Sequence, residues 1–328
     1  MKCLVTGGGG FIGSHLVDRL IADGHEVTVL DNFSTGRPAN LAHLEGQRRL
    51  RVAPVDVAGE EPLAPYFSGS DWVFHLAARA DIVPSIQRPV DYHRVNVDGT
   101  LAVLEASRAA AVKRFVYAAS SSCYGIPEIY PTPESAAIQP QYPYALTKWI
   151  GESMVLHWGQ VYKLPVVSMR FFNVYGPRAR TSGTYGAVLG VFLSQKLAGK
   201  PFTVVGDGTQ TRDFTFVTDV TAACVRAAAS GLRGEVLNVG SGGTYSVNRL
   251  VALLDGPVVR VPKRPGEPDC TFADITKIRA ALCWEPQVSF EAGVRLVLEH
   301  IEEWRQAPVW TPEAIAEATR EWFLCLSA

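Results

Sequence analysis

The sequence predicts an α/β fold: a doubly wound parallel sheet joined to a smaller, mixed α/β C-terminal domain. Apolar strand-like runs alternate with helical segments through the first half. Those runs are continuous rather than alternating in polarity, as in parallel strands covered by helices on both faces. The second half is less regular and richer in glycine and proline. A chain of 328 residues can bury a large core, in one large domain or two closely joined ones.

Lys2–Thr6 reads as the first strand. Phe11–Ala22 reads as a helix, with Ile12, Leu16, Leu20 and Ile21 at the spacing of one buried face and Gly24 closing it. His25–Leu30 is a second strand ending in Asp31, before a polar turn from Asn32 to Asn40. Leu50–Val55 is a third, ending in Asp56, and Asp71–Ala78 a fourth. A helix from Val90 to Ala110 precedes the fifth strand, Arg114–Ala119, and a helix from Tyr144 to Tyr162 precedes the sixth, Val166–Phe172. Breaks at Asn173–Pro177 and Gly206–Gly208 mark candidate boundaries; Val217–Ala229 reads as helix and Glu235–Val239 as a short strand. The expected division sets residues 1–176, rejoined at about 213–251, against 177–212 plus 252–328. Near the end, Ile315, Thr319, Trp322 and Leu326 recur at helical spacing, an amphipathic helix for the body or for a partner.

An apolar fraction of 47% and a charged fraction of 19% are those of an ordinary globular protein. A net charge of −1 gives no electrostatic case for nucleic acid or an anionic membrane as partner. Cys3, Cys123, Cys224, Cys270, Cys283 and Cys325 form no C-x-x-C pair and no metal-ligand spacing, so reduced thiols and no metal are expected. No apolar run approaches the ~18 residues of a membrane span. The first strand starts at Lys2, where a signal peptide would lie, so a cytoplasmic location is expected.

The first strand runs directly into Gly7-x-x-Gly10-x-x-Gly13, and a helix follows. Glycines there permit a tight turn and close backbone approach to a pyrophosphate, and the helix N-terminus offers it free N–H groups. Asp31 ends the second strand about eighteen residues after Gly13, where an acid accepts hydrogen bonds from a ribose diol and repels a 2′-phosphate. Together these predict a Rossmann-type site for NAD rather than NADP.

Tyr144 and Lys148 stand four apart on a predicted helix, and so on one face. A free tyrosine, with a pKa near ~10, is a poor base at neutral pH. A neighbouring Lys148, with the positive charge of an oxidised nicotinamide, would favour its phenolate. Such a base can take a proton from a sugar hydroxyl as hydride leaves the carbon. An isolated Tyr-x-x-x-Lys is more often a packed tyrosine beside a solvated lysine; here it follows a dinucleotide site and a serine-rich strand end. Ser120, Ser121 and Ser122 directly follow the fifth strand, at the sheet edge where α/β proteins bind ligands. A hydroxyl there can hydrogen-bond a reacting oxygen and relay its proton.

In order and spacing these motifs resemble an extended short-chain dehydrogenase/reductase of the nucleotide-sugar epimerase and dehydratase group. The resemblance covers nearly the whole chain: Thr6-Gly7-x-x-Gly10-x-x-Gly13, Asp31-Asn32, Asp56-Val57, His75-Leu76-Ala77-Ala78, Asn96-Val97-x-Gly99-Thr100, Ser120 to Gly125, Tyr144-x-x-x-Lys148 and Arg170 to Pro177. It implies that Gly7, Gly10, Phe11, Ile12 and Gly13 hold the NAD phosphates. It further implies that Asp31, Asn32, Asp56, Val57, Ala77, Ala78 and Asn96 line the rest of the cofactor site, with Tyr144 and Lys148 at the nicotinamide ribose. Ser120 becomes the catalytic hydroxyl, with Ser122 the second choice, and Tyr144 the base.

Family dehydratases and decarboxylases usually carry an acid between that serine and Tyr124-Gly125; Ser121, Ser122 and Cys123 supply none, which argues for epimerisation. The resemblance also assigns Asn173, Arg212 and Arg264 to the substrate diphosphate and Glu267 to its ribose. Arginine suits that task through its fixed fork of donors. Thr271, three before Asp274, stands where the family limits space around the sugar C2 substituent and where strict hexose epimerases carry tyrosine. A smaller residue leaves room for an acetamido group, or simply packs. The expected protein is a UDP-hexose 4-epimerase with retained NAD, acting on UDP-Glc/UDP-Gal and on UDP-GlcNAc/UDP-GalNAc. The alternatives are a UDP-glucuronic acid 4-epimerase, a dehydratase or decarboxylase, and a non-enzymatic NAD-sensing regulator. The family further implies a homodimer through the Tyr144 helix and the helix near Val90 to Ala110.

Overall fold

The computed structural model of the chain describes residues 1–181 and 187–326. Its strands, in chain order, are β1 (Lys2–Thr6), β2 (Glu26–Leu30), β3 (Leu50–Ala53), β4 (Trp72–His75), β5 (Arg114–Ser120), β6 (Val166–Phe171), β7 (Asn173–Tyr175), β8 (Phe202–Val205), β9 (Thr211–Arg212), β10 (Phe214–Phe216), β11 (Glu235–Val239), β12 (Tyr245–Ser246) and β13 (Val258–Val261). A seven-stranded sheet has the order β11-β6-β5-β4-β1-β2-β3, parallel throughout. The chain winds outward from β1 to β3, then returns to β4 on the other side of β1. Ligands of such sheets bind in the crevice beyond the carboxyl ends of the strands where this reversal occurs.

The continuous apolar strands are explained by burial on both sides. Alternate residues of β5 face opposite cores: Val116 joins one face, Phe115 and Tyr117 the other. Helices Phe11–Ala22 and Val217–Ala229 cover the first face through Leu16, Val17, Leu20, Val220, Ala223 and Ala227. Helices Gly99–Ala109 and Pro143–Val161 cover the second through Val103, Leu104 and Val155.

The second half builds its own core from three small sheets, β7 with β10, β8 with β13 and β9 with β12. Its centre is aromatic: Phe290 stacks on Phe214 at 4.9 Å and on Tyr245 at 4.5 Å, with Tyr175 edge-on at 5.9 Å.

Several boundaries differ from the sequence reading. β3 stops at Ala53 because Pro54 has no N–H for a ladder. β4 stops at His75, where the chain turns under the glycine loop. The helix expected from Val90 to Ala110 starts at Pro89 and contains a wide π turn at Arg94–Asp98. In it the Thr100 hydroxyl donates to the Asn96 carbonyl at 2.6 Å. The sequence reading keeps the chain on the sheet to about Val251, yet Val247, Leu250 and Leu254 are buried in the second core. The single C-terminal helix is two short ones, Pro312–Ala318 and Arg320–Leu326, which meet at Thr319. Ile315, Thr319 and Trp322 are nevertheless buried together, against this chain's own body. Among the described residues, no helix is long and apolar enough to cross a membrane.

Candidate active site

The glycine turn is built for an anion. Gly7 leaves β1 at φ +74°, and a Cβ there would come within 2.7 Å of the Ala77 nitrogen. A Cβ on Gly13 would collide with the Gly7 carbonyl, so the helix packs this close only as glycine. Arg37 N and Asn40 Nδ2 both donate to the Gly9 carbonyl at 2.9 Å, which fixes the loop. No side chain caps the helix at Gly10. The first-turn N–H groups of Phe11, Ile12 and Gly13 have no intrahelical acceptor, so they suit a pyrophosphate.

Asp31 lies buried beside this turn. Its carboxylate accepts from Gly9 N and Phe33 N, each at 2.8 Å, and burial raises its pKa against those bonds. Each carboxylate oxygen keeps a further lone pair for a ribose hydroxyl. Exposed Asn32 accepts from Ser34 N at 3.0 Å, and Asp56 accepts from Ala58 N at 2.9 Å, so both close turns at the adenine end. Val57 is buried beneath Gly99. Ala77 N donates to Thr6 Oγ1 at 3.3 Å, which places Ala77 and Ala78 along the crevice wall. This cradle fits a dinucleotide.

Asn96, expected on the cofactor, is committed to the fold. Its amide nitrogen donates to Arg79 O and Thr147 Oγ1, each at 3.0 Å, and its oxygen accepts from Arg79 N at 2.8 Å. It therefore braces the loop after β4 against the Tyr144 helix. Buried His75 likewise links β1 to the Gly99–Ala109 helix: Thr6 Oγ1 lies 2.7 Å from Nδ1 and Thr100 Oγ1 2.9 Å from Nε2, and burial lowers its pKa to about 3.

The catalytic candidates meet at the end of β5. Ser120 Oγ lies 2.8 Å from Ser122 Oγ and accepts from Ser122 N at 3.2 Å. Ser120 also draws the Tyr144 pKa down, but burial is the larger effect and leaves it raised. Lys148 is buried one turn along the helix, with Nζ 4.4 Å from the centre of the Tyr117 ring. Burial lowers its pKa to about 7, with Glu152 opposing. The expectation that Lys148 drives Tyr144 toward phenolate is thus not met by these two side chains alone. Desolvation penalises both charges, the phenolate and the ammonium.

The residues expected at the nucleotide end of a substrate converge in the second half. Glu267 accepts from Arg212 Nη2 at 2.8 Å and pairs with Arg264 Nε at 2.9 Å, holding both guanidinium groups. Glu267 was expected at a ribose; here both its oxygens serve the arginines. Asn173 is exposed at the start of β7, and its side-chain oxygen accepts from Thr271 Oγ1 at 2.7 Å. Thr271 Oγ1 in turn accepts from Asp213 N at 3.0 Å.

Sequence reasoning missed four residues. Buried Asp213 accepts from Ser241 N at 2.6 Å and Ala273 N at 3.0 Å, and burial raises its pKa to about 6. Tyr142 stacks on Tyr144 at 6.5 Å, its plane within 7°. Asp81, close enough to raise the Tyr144 pKa, is ion-paired to Arg180. Trp322 lies over Arg264, 5.3 Å from its guanidinium carbon. Tyr142 stands two before the catalytic candidate, and Trp322 had a local signal only in its helical spacing. Among the described residues, no group of three or more His, Cys, Asp or Glu side chains is arranged to hold a metal ion.

The model of the NAD dependent epimerase/dehydratase family matches residues 3–240. A UDP-glucose 4-epimerase of Mycolicibacterium smegmatis is 38% identical over 308 residues, 91% of this chain and 98% of that protein. The solved UDP-N-acetylglucosamine 4-epimerase of Methanobrevibacter ruminantium superposes with a TM-score of 0.87 at 33% identity, covering 92% of this chain and 98% of its own. The UDP-glucuronic acid 4-epimerase of Bacillus cereus, solved with UDP-glucuronic acid and NAD, gives 0.86 at 32% identity, covering 92% and 99%. With the glycine cradle, Asp31 and the Ser120–Tyr144–Lys148 group in one crevice, the chain belongs to the NAD-dependent epimerase/dehydratase family of nucleotide-sugar enzymes, the extended short-chain dehydrogenase/reductases.

Proposed function

We propose that the protein is a UDP-sugar 4-epimerase. The observation that carries this is the placement of Ser120, at the carboxyl end of β5, beside Tyr144, with Lys148 one turn on and no carboxylate from Ser121 to Cys123. Tyr144 takes the proton of the sugar C4 hydroxyl, and Ser120 holds that oxygen and relays the proton. Bound NAD supplies the acceptor for the C4 hydride and its return. Oxidation at C4 yields a 4-keto sugar, which turns in the pocket and is reduced on its opposite face, so no net redox occurs. Tyr144 returns the proton to the C4 oxygen. Lys148, on the same helix face, holds the nicotinamide ribose.

A turning sugar requires a firm grip on the nucleotide and a loose one on the hexose. Arg212, Arg264 and Asn173 supply the grip at the diphosphate. Thr271, smaller than a tyrosine, leaves space near C2, which supports UDP-GlcNAc/UDP-GalNAc beside UDP-Glc/UDP-Gal. A second reading is UDP-glucuronic acid, the sugar of the Bacillus cereus 4-epimerase to which this chain is 32% identical. The relatives named above, acting on each of these three sugars, are similar to this chain to nearly the same degree.

The proposal includes a homodimer. Leu146 and Trp149 are exposed on the Tyr144 helix at 44% and 38%, and Leu101 on the Gly99–Ala109 helix at 39%, an apolar surface that a second copy would cover.

Proton NMR of the purified protein with UDP-Glc, UDP-GlcNAc or UDP-GlcA, each without added cofactor, tests the reading. A new anomeric signal for the C4 epimer is expected in at least one sample, and the sample identifies the sugar. Silence in all three would remove the 4-epimerase proposal.

A further inference from the structure

Trp322 lies 58 residues beyond Arg264 in sequence, yet the two residues are in contact. The C-terminal helices bury Ile315, Thr319 and Trp322 along one face. The Thr319 hydroxyl donates to Ile315 O at 2.7 Å, which keeps that face continuous across the break between the two helices. Trp322, only 3% exposed, makes three different contacts. Its indole N–H donates to Pro265 O at 2.7 Å, in the loop between Arg264 and Glu267. Its ring lies under the Arg264 guanidinium at 5.3 Å. It also packs against Tyr142, 6.2 Å away, which stacks in turn on Tyr144.

Each contact has a physical consequence for the site. An arginine that grips a diphosphate must hold its fork still, and its long side chain otherwise loses rotamer freedom on binding. The ring supplies a flat, weakly polar surface that orients the guanidinium without neutralising it. The indole hydrogen bond sets the height of the loop that carries both Arg264 and Glu267. The contact with Tyr142 joins that loop to the lip of the catalytic crevice, so the nucleotide grip and the proton-transfer group share one support.

We propose that Trp322 is a positioning residue of the substrate site: the C-terminal segment pre-orients Arg264 and the 264–267 loop for the diphosphate of a nucleoside diphosphate sugar. This rests on the UDP-sugar reading. The segment is thereby a wall of the binding site rather than an appendage to the fold.

The test measures UDP binding by titration calorimetry, and KM and kcat for the UDP-sugar that the protein turns over, on the full chain with its NAD. Trp322→Ala is expected to weaken UDP about tenfold, the range of a cation–π contact plus an ordered loop, with KM rising more than kcat falls. Trp322→Phe, which keeps a ring and loses the N–H, should recover part of that loss. In an Arg264→Ala background, Trp322→Phe should cost little further UDP affinity, because coupled residues are not additive. Unchanged UDP affinity in Trp322→Phe, or a full additional loss on top of Arg264→Ala, would overturn the proposal and leave Trp322 a packing residue. Wild-type protein that binds no UDP would instead remove the underlying substrate reading.

Discussion

Thr271 donates its hydroxyl proton to the side-chain oxygen of Asn173 across 2.7 Å. That bond fixes the side chain of Asn173, the proposed diphosphate contact. The residue expected to set the room around the sugar therefore also orients that proposed contact. Thr271→Val removes this bond and leaves the Asp213 N–H without its acceptor. A lost hydrogen bond of ~1 kcal/mol predicts a severalfold rise in KM, and a stranded buried N–H predicts a loss of about 1–3 kcal/mol in stability. Thr271→Ser should restore both. Steady-state kinetics with chemical denaturation check this: identical behaviour of the Val and Ser variants would contradict the relay.

Removing the Tyr144 hydroxyl should abolish turnover and spare the fold. Tyr144→Phe keeps the ring stacked on Tyr142, so thermal stability and bound NAD should stay close to wild type. Activity should fall by about 10²–10⁴, the usual contribution of a positioned acid–base group. A fall of less than tenfold would place the proton transfer elsewhere.

Burial of Lys148 gives stability a pH dependence of known sign. The folded pKa is lowered to about 7, against 10.5 for the ordinary side chain. Between those values the unfolded chain binds the extra proton, so stability from this group rises with pH across the window. The cost of burying the ammonium is fully present below about 7 and is relieved toward 10.5. In the NAD-free protein, Lys148→Met should therefore gain stability over wild type at pH 7, and the gain should shrink by pH 10. Urea midpoints at the two pH values measure it, and a gain that grows with pH would refute the assignment.

Arg212 should carry nucleotide affinity without touching the cofactor. Arg212→Ala removes a charge-assisted donor worth about 1.5–3 kcal/mol, an increase of about ten- to a hundredfold in KM for the UDP-sugar. Arg212→Lys should not restore it, because an ammonium lacks the bidentate fork. NAD content, read by absorbance after denaturation, should be unchanged. Loss of NAD in the alanine variant would show that Arg212 acts on the fold instead.

Much of the architecture was legible because its signals are local. Alternating strand and helix, the glycine turn after β1, the acid ending β2 and the four-residue spacing of Tyr144 and Lys148 are all periodicities or short-range geometry. The helix Val217–Ala229 and strand Glu235–Val239 were read at the same bounds that the structure has. Where local reading went astray, a distant contact intervened. The amphipathic spacing of Ile315, Thr319 and Trp322 told which face was buried, but not that Pro265 would receive it.

The sequence by itself determined the fold class and the dinucleotide cradle and pointed to the candidate hydroxyls, since each is announced by a short local pattern of residues. Tertiary structure alone decided what charge those groups carry and what holds them. Asn96 is committed to Arg79 and Thr147, and Glu267 to two arginines from separate segments. Lys148 has its pKa lowered because the sheet and the helix exclude water around it. Burial and long-range pairing belong to the packed whole, and a linear reading carries no measure of either.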